Sequence, residues 1–499
     1  MKFKKSAIFF LLAAVFASSV SCISDNGAGT ETKNIIDDSG SGTLTTEDPY
    51  ADDMVPSDID FDGIDIMISV GDLNGTVYNT LNQEEETGNK VEDSIYRVSK
   101  GVQERLNANF VWDVISVDTG NQTKHPSAFA SRILAGDQID LYFGVLDFTA
   151  QMAEGRYFEN LHETEYFNID QPWYRQTVAD ALPDYLFAIA GDFSLYNARN
   201  VMCMYYNDDL YRSFGKTEDL YALVDNGKWT LDKMSEVIKD TFIDVNGDTE
   251  QDPGDSYGLT FGDCNKYTGF MPALGVSIFK KTSTGFEFTF GNERAVDAMT
   301  MLNHIVNDSI DVRVANFNND QFPEWQVPTT GGTYVSKPFL EGRSVFTCAL
   351  VGDAEYIVPQ ISFNYGLLPY PKFSEEEEYR TEQLTPLYVM IPVTANDKDI
   401  SSAVIEALGS LAYKTEIPEY CEVALKVRYS ADDNISRMFD LVRSVVSFDP
   451  GRVSGMSLDY PEIEWKDCIN IKNVDWASRI AKKSKRWITL MDQFANISY

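Results

Sequence analysis

The apolar residues that follow Phe61 change period along the chain. Ile64, Ile66, Ile68 and Val70 fall on every second position, the period of a strand with one buried face. Ile95, Val98, Val102 and Leu106 then recur at helical spacing. Residues 111–117 read as a second strand, 127–134 as a helix and 139–143 as a third strand. Strands that alternate with helices predict a parallel sheet of the doubly wound α/β class, because same-direction strands need long crossovers. Ligands bind beyond the carboxyl ends of such strands, which points to Gly144, Asp147 and Phe148.

Further along, 201–205 and 257–261 read as buried strands. Between them Thr230 is a helix N-cap, its hydroxyl placed to accept an orphan N–H of the first turn. Leu231, Met234, Val237 and Ile238 share one face of that helix. Ala295, Met299 and Leu302 mark another helix. Residues 339–350 read as a helix end, a glycine turn and a buried strand; 365–372 and 387–393 add strands, and 401–499 is mainly helical. No short-period internal repeat is present.

The chain has 499 residues, enough for two or three domains, and 43% hydrophobic residues exclude disorder throughout. The formal net charge of -36 argues against nucleic acid, which needs clustered Lys and Arg, and against an anionic membrane face. At the N-terminus, Lys2, Lys4 and Lys5 precede an apolar run too short to span a bilayer, the pattern of an export signal. Ser19-Val20-Ser21-Cys22 resembles the bacterial lipoprotein cleavage box, with Ser19 where Leu is usual; residues 1–21 would be removed and Cys22 lipidated. Residues 22–60, rich in Ser, Thr, Gly and Asp, read as a flexible tether. Cys203, Cys264, Cys348, Cys421 and Cys468 are widely spread and odd in number, so they read as single buried thiols.

Catalytic signatures are sparse. His125, His162 and His304 lie far apart, and neither a nucleophile elbow nor a phosphate-binding glycine loop occurs. With 77 Asp and Glu, a glycosidase carboxylate pair stays open. The loop 244–255 places oxygen donors at calcium-loop spacing: Asp244, Asn246, Asp248, Asp252 and Asp255, with Glu250 at the carbonyl position. Thr249 replaces the glycine of that motif and Asp255 its bidentate Glu, so the loop reads either as a structural Ca2+ site or as an acidic surface turn. Phe148, Trp173, Tyr174, Trp325 and Tyr334 lie in predicted loops or beside turns, where rings can platform a flat ligand such as a sugar; Asp147, Asn197, Arg199, Asn200 and Asp353 could bind its polar edge. Trp112, Trp229, Trp476 and Trp487 read as structural.

Several stretches occur in an order that resembles the extracellular solute-binding proteins of ABC importers, sugar-binding branch. They include residues 87–107, DLYFG, the Pro172-Trp173-Tyr174 turn, MYYNDDLY, NGKWTLDKM, DVNGD, EGRSVF, YGLLPYPK and residues 406–433. The resemblance implies a two-lobed α/β fold of the maltose-binding-protein type with an interlobe cleft and a helical C-terminal part. It places residues 61–184 and 345–393 in lobe one, and 185–344 and 394–499 in lobe two. It implies a monomeric, lipid-anchored receptor on the outer face of the cell membrane, with no enzymatic activity, which binds a carbohydrate and delivers it to permease subunits. It also turns the loops at 144–148, 172–174, 196–200 and 352–353 toward the cleft. The alternatives are a secreted polysaccharide lyase or glycosidase, and a surface glycan-capturing lipoprotein. The early strand–helix alternation counts against the repeat-built form of the latter.

Overall fold

The computed structural model describes residues 52–73, 75–117, 124–145, 150, 152–262, 264–314, 322–329, 333–422 and 433–497. All of its elements belong to the unit Asp48–Tyr499. The export signal, Cys22, most of the tether, Asp147 and Phe148 lie outside the described residues.

The first elements follow the hydrophobic periodicity. They are β1 (Ile64–Leu73), α1 (Lys90–Leu106), β2 (Ala108–Val117), α2 (Lys124–Ala135) and β3 (Leu141–Val145). Helix α1 starts where the Asn89 side chain accepts the Val91 N–H and stops where Asn107 turns left-handed, φ 47°. Ile68 is fully buried and pairs in parallel with Trp112 on one side and Leu141 on the other.

The chain continues through a short helix α3 (Leu195–Arg199), β4 (Met202–Asn207), α4 (Leu231–Ile238) and β5 (Tyr257–Phe261). The Thr230 hydroxyl caps α4 by accepting the Lys233 N–H at 3.2 Å. A hairpin of β6 (Phe279–Thr282) and β7 (Gly285–Phe288), α5 (Glu293–Asp308) and β8 (Val312–Val314) follow. A second hairpin pairs β9 (Gln326–Pro328) with β10 (Tyr334–Ser336). Then come β11 (Ser344–Leu350), β12 (Tyr365–Leu368), β13 (Leu387–Met390), α6 (Lys398–Leu411), α7 (Asp433–Ser444), α8 (Glu462–Ile469) and α9 (Trp476–Ala495). Trp476 and Trp487 pack against Phe290, and Trp229 is buried against Phe346, as structural residues would. Cys203, Cys348, Cys421 and Cys468 are buried free thiols.

Two separate larger sheets result. The first runs β13-β3-β1-β2 and the second β12-β4-β11-β5-β8. The crossings between them differ from those expected. Strands β11 and β12 lie in the second sheet, and of the segment 345–393 only β13 joins the first, antiparallel to β3. All seven residues of β11 are buried, so it needs neighbours on both edges, and β4 and β5 supply them. Helix α6 packs on α1, beside the first sheet, rather than with the second lobe. Helices α8 and α9 pack on α5. No helix among the described residues is long and apolar enough to cross a membrane.

Two carboxylates are buried near α6. Glu406 accepts the Tyr174 hydroxyl at 2.6 Å and the Met54 N–H at 3.2 Å. Burial nonetheless raises its pKa to about 7. Glu416 lies in a π-helical turn, Ala412–Glu416, that continues α6. Burial raises its pKa to about 8, against the opposing pull of Arg199. Both values exceed that of an unfolded Glu, so the folded chain holds more protons than the unfolded chain from about pH 4.5 to 8. The stability linked to these protons is complete below the unfolded pKa and is lost as pH rises through the folded values. We therefore expect the melting temperature to fall between pH 5 and pH 8, and Glu416→Gln to flatten that slope. Thermal denaturation followed by circular dichroism checks both; a slope unchanged by the substitution would remove Glu416 from the account.

Candidate functional site

The cavity begins where strands of both sheets end. At the carboxyl end of β1, buried Asp72 gathers the loop that follows by accepting N–H bonds from Gly75 at 2.5 Å and from Val77 and Tyr78 at 2.9 Å. This fold-back presents Thr76, Asn79 and Thr80. The Thr80 hydroxyl also meets the Ser194 hydroxyl at 2.8 Å. Ser194 caps α3 by accepting the Tyr196 N–H, so the loop and the helix are set together.

From the other side, α3 contributes Tyr196 and Arg199 and its C-cap Asn200, and the turn after β11 contributes Gly352, Asp353, Glu355 and Tyr356. Thr329 and Thr333 of the β9–β10 hairpin complete the wall. The cavity measures about 470 Å³, within the 300–1,000 Å³ range of small-molecule sites.

Its charged groups are all engaged. Arg199 grips Glu355 with two parallel bonds, Nε to Oε1 at 2.8 Å and Nη2 to Oε2 at 3.2 Å. Burial alone would lower the Arg199 pKa, and Glu355 reverses this and raises it. The Tyr420 hydroxyl donates to Glu355 Oε1 at 2.8 Å. Burial first, then Glu355, pushes that phenol well up, which keeps it a donor at neutral pH. Asp353 and Lys266 form an almost fully buried ion pair at 2.8 Å. Asp353 also accepts the Leu350 N–H at 2.8 Å and the Thr333 hydroxyl at 3.0 Å, while Lys266 donates to the Tyr334 carbonyl at 2.7 Å.

Of the residues expected at the site, Arg199, Asn200 and Asp353 meet on this wall. Asp147 and Phe148 lie outside the described residues, and the remaining ones lie elsewhere for identifiable reasons. Trp173 is fully buried against α6, where Gly409 leaves a slot; a Cβ there would come within 2.5 Å of the indole. Tyr174 is buried beside it, bonded to Glu406. Asn197 is buried and acts on the backbone, donating to the Gly191 and Leu387 carbonyls and accepting the Leu387 N–H at 2.8 Å. Trp325 packs edge-on to Tyr257 with Arg313 over its ring. Tyr334 meets the site through its backbone carbonyl, which holds Lys266. Tyr196 belongs to the 196–200 loop expected to face the cleft, whereas sequence reasoning missed Thr76, Asn79, Thr80, Glu355 and Tyr356 as wall residues. Glu355 and Tyr356 come one residue after the Gly352-Asp353 turn it had singled out, and that proximity was the available signal.

The acidic loop stands apart from the cavity. Asp244 accepts N–H bonds from Gly247 and Thr249, Asp248 from Glu250, and Asp255 from Val245 and Asp252. The Asn246 amide bridges Asp248 and Asp252 at 2.9 and 2.7 Å. Among the described residues no three His, Cys, Asp or Glu side chains converge in a metal-holding group. Thr249 nevertheless takes φ 69°, the left-handed conformation that a calcium loop assigns to its glycine.

No protein-family model matches the chain, and no curated protein sequence does. Solved structures do match. The GacH receptor of Streptomyces glaucescens, determined unliganded and with acarbose, superposes with a TM-score of 0.55 at 11% identity, covering 86% of this chain and 99% of that one. The ABC substrate-binding protein Lmo0181 of Listeria monocytogenes, in complex with cycloalternan, gives 0.51 at 13% identity, covering 87% and 98%. UgpB of Mycobacterium tuberculosis, in complex with glycerophosphocholine, gives 0.53 at 15% identity, covering 80% and 95%. The chain thus has the two-lobed, maltose-binding-protein-like fold of substrate-binding proteins, as the sequence resemblance implied.

The Lys266–Asp353 pair gives this arrangement a direct test. Lys266→Met leaves a desolvated carboxylate without its cation, and we expect a loss of about 3–5 kcal/mol in urea denaturation. Adding Asp353→Asn should recover much of it. A single variant as stable as the parent would show that the pair does not hold the wall.

Proposed function

We propose that this chain is the substrate-binding receptor of an ABC importer, taking up a saccharide in the cleft and passing it unchanged to a membrane permease. The observation that carries this reading is the wall itself: loops from both sheets meet beyond their strand ends around a cavity of about 470 Å³. Tyr196 and Tyr356 offer ring surface to the apolar face of a sugar, and Thr76, Asn79 and Asn200 offer hydroxyls and amides to its rim. Structures of the same fold hold acarbose and cycloalternan. Contacts to both lobes would favour a closed arrangement in proportion to the ligand's differential affinity for it.

Catalysis has less support. Among the described residues the wall carries neither His nor Cys, and its carboxylates, Asp353 and Glu355, are held in ion pairs rather than presented as a free acid–base couple. The export signal, Cys22 and the tether complete the proposal. Lipid on Cys22 would keep a monomeric body at the outer membrane face within reach of its permease.

Thermal-shift screening against neutral oligosaccharides tests the receptor reading. A ligand at one hundred times its Kd should stabilise the fold by about 2.7 kcal/mol. Tyr356→Ala should weaken binding at least tenfold, Trp173→Ala should not act through ligand contact, and chromatography should recover the sugar intact. Shortened sugar would instead identify an enzyme.

The reading extends to a structural Ca2+ in the loop 244–255, supported by the donor spacing and the left-handed Thr249. Calorimetry on metal-stripped protein should register heat with millimolar calcium, and Asp244→Ala should abolish it. A flat titration would leave an acidic turn and no more.

A further inference from the structure

Building on the saccharide reading, we infer that the cleft selects uncharged saccharides and discriminates against both uronates and amino sugars. Among the described residues, the charged side chains on the cavity wall are Arg199, Asp353 and Glu355. With Lys266 behind Asp353, two cations face two anions, and each is already bonded to its opposite. The Arg199 fork is occupied by both oxygens of Glu355, and Glu355 Oε1 takes the Tyr420 hydroxyl as well. Asp353 is taken by Lys266, the Leu350 N–H and Thr333.

A charged ligand would leave its hydration shell and meet no opposite charge that lacks a partner. A ligand carboxylate that takes the Nε–Nη2 edge of Arg199 displaces Glu355, which would then stand half-buried without its cation, and one that takes the Nη1 N–H groups lies against the Glu355 charge. An ammonium at Glu355 likewise either strips Arg199 or shares the carboxylate with it, against the guanidinium charge. Either exchange carries the desolvation cost of an orphaned charge, so the wall rejects charge of both signs. A neutral ring leaves the pairs intact and uses the hydroxyls and amides between them. The net charge of -36 adds a salt-screened repulsion against anions.

The test uses the mature protein and three matched sets of disaccharides: neutral ones, the same sugars oxidised at C6 to uronates, and their 2-amino counterparts. Calorimetry should find the neutral members bound at least tenfold tighter than either charged set. Glu355→Gln frees the guanidinium while keeping a planar acceptor, and should narrow the neutral-over-uronate ratio at least tenfold without improving amino sugars. Arg199→Gln should do the converse. The parent protein alone decides the matter if a variant does not fold. A charged set bound within tenfold of the neutral one, or folded variants with unchanged ratios, would overturn the inference and leave the receptor reading standing. Failure of every set to bind would instead remove the saccharide reading and this inference with it.

Discussion

The architecture of the cleft depends on one desolvated ion pair. Lys266 and Asp353 are almost completely buried, a placement that is costly unless every polar atom finds a partner. Their partners are the reason the pair matters. Asp353 pins the Leu350 N–H at the end of β11 and the Thr333 hydroxyl after the β9–β10 turn. Lys266 pins the Tyr334 carbonyl at the start of β10. Three stretches distant in sequence are tied at one point, and that point is the wall of the cavity. Replacing the pair with apolar residues could preserve packing, but it would release the hairpin from the strand.

A second set of ties links the elements on which the two sheets meet. Asn197, on the short helix that carries Arg199, uses both ends of its amide on the backbone of Leu387 in the first sheet. Tyr420, in the segment after α6, bonds Glu355 beyond the end of β11. Thr80, after β1, bonds the cap of α3. Each tie runs between side chains or backbone atoms on segments that belong with different sheets. Thr80 and Glu355 of the cavity wall thus also take part in joining the halves.

Much of the fold was legible because it was written in periodicity. The alternation from Ile64 to Val70, the α1 stripe and the Thr230 cap depend on near neighbours, and all three appear where expected. The crossings were not legible, since β11 is buried on every residue and such a run carries no mark of which sheet will accept it. The site was half legible for a related reason. Turn chemistry around Asn200 and Asp353 identified polar residues near strand ends. It could not say which aromatic rings would turn inward. Trp173 looked available in a proline turn, but the slot over Gly409, more than two hundred residues later, buries it. Tyr356 lay in a short helix with no distinguishing pattern.

The pairing of β13 with β3 bears on how the molecule is made. Residues 387–390 zip antiparallel onto 142–145, so the first sheet lacks its outer strand until most of the chain exists. During synthesis, β3 offers a row of unsatisfied backbone donors and acceptors with five buried-type residues along it. An unprotected margin of this kind invites foreign strands, and long-range partners arrive late. The amino-terminal half is thus an incomplete body in need of shielding, and truncation before residue 387 would yield a sticky fragment rather than a smaller folded protein.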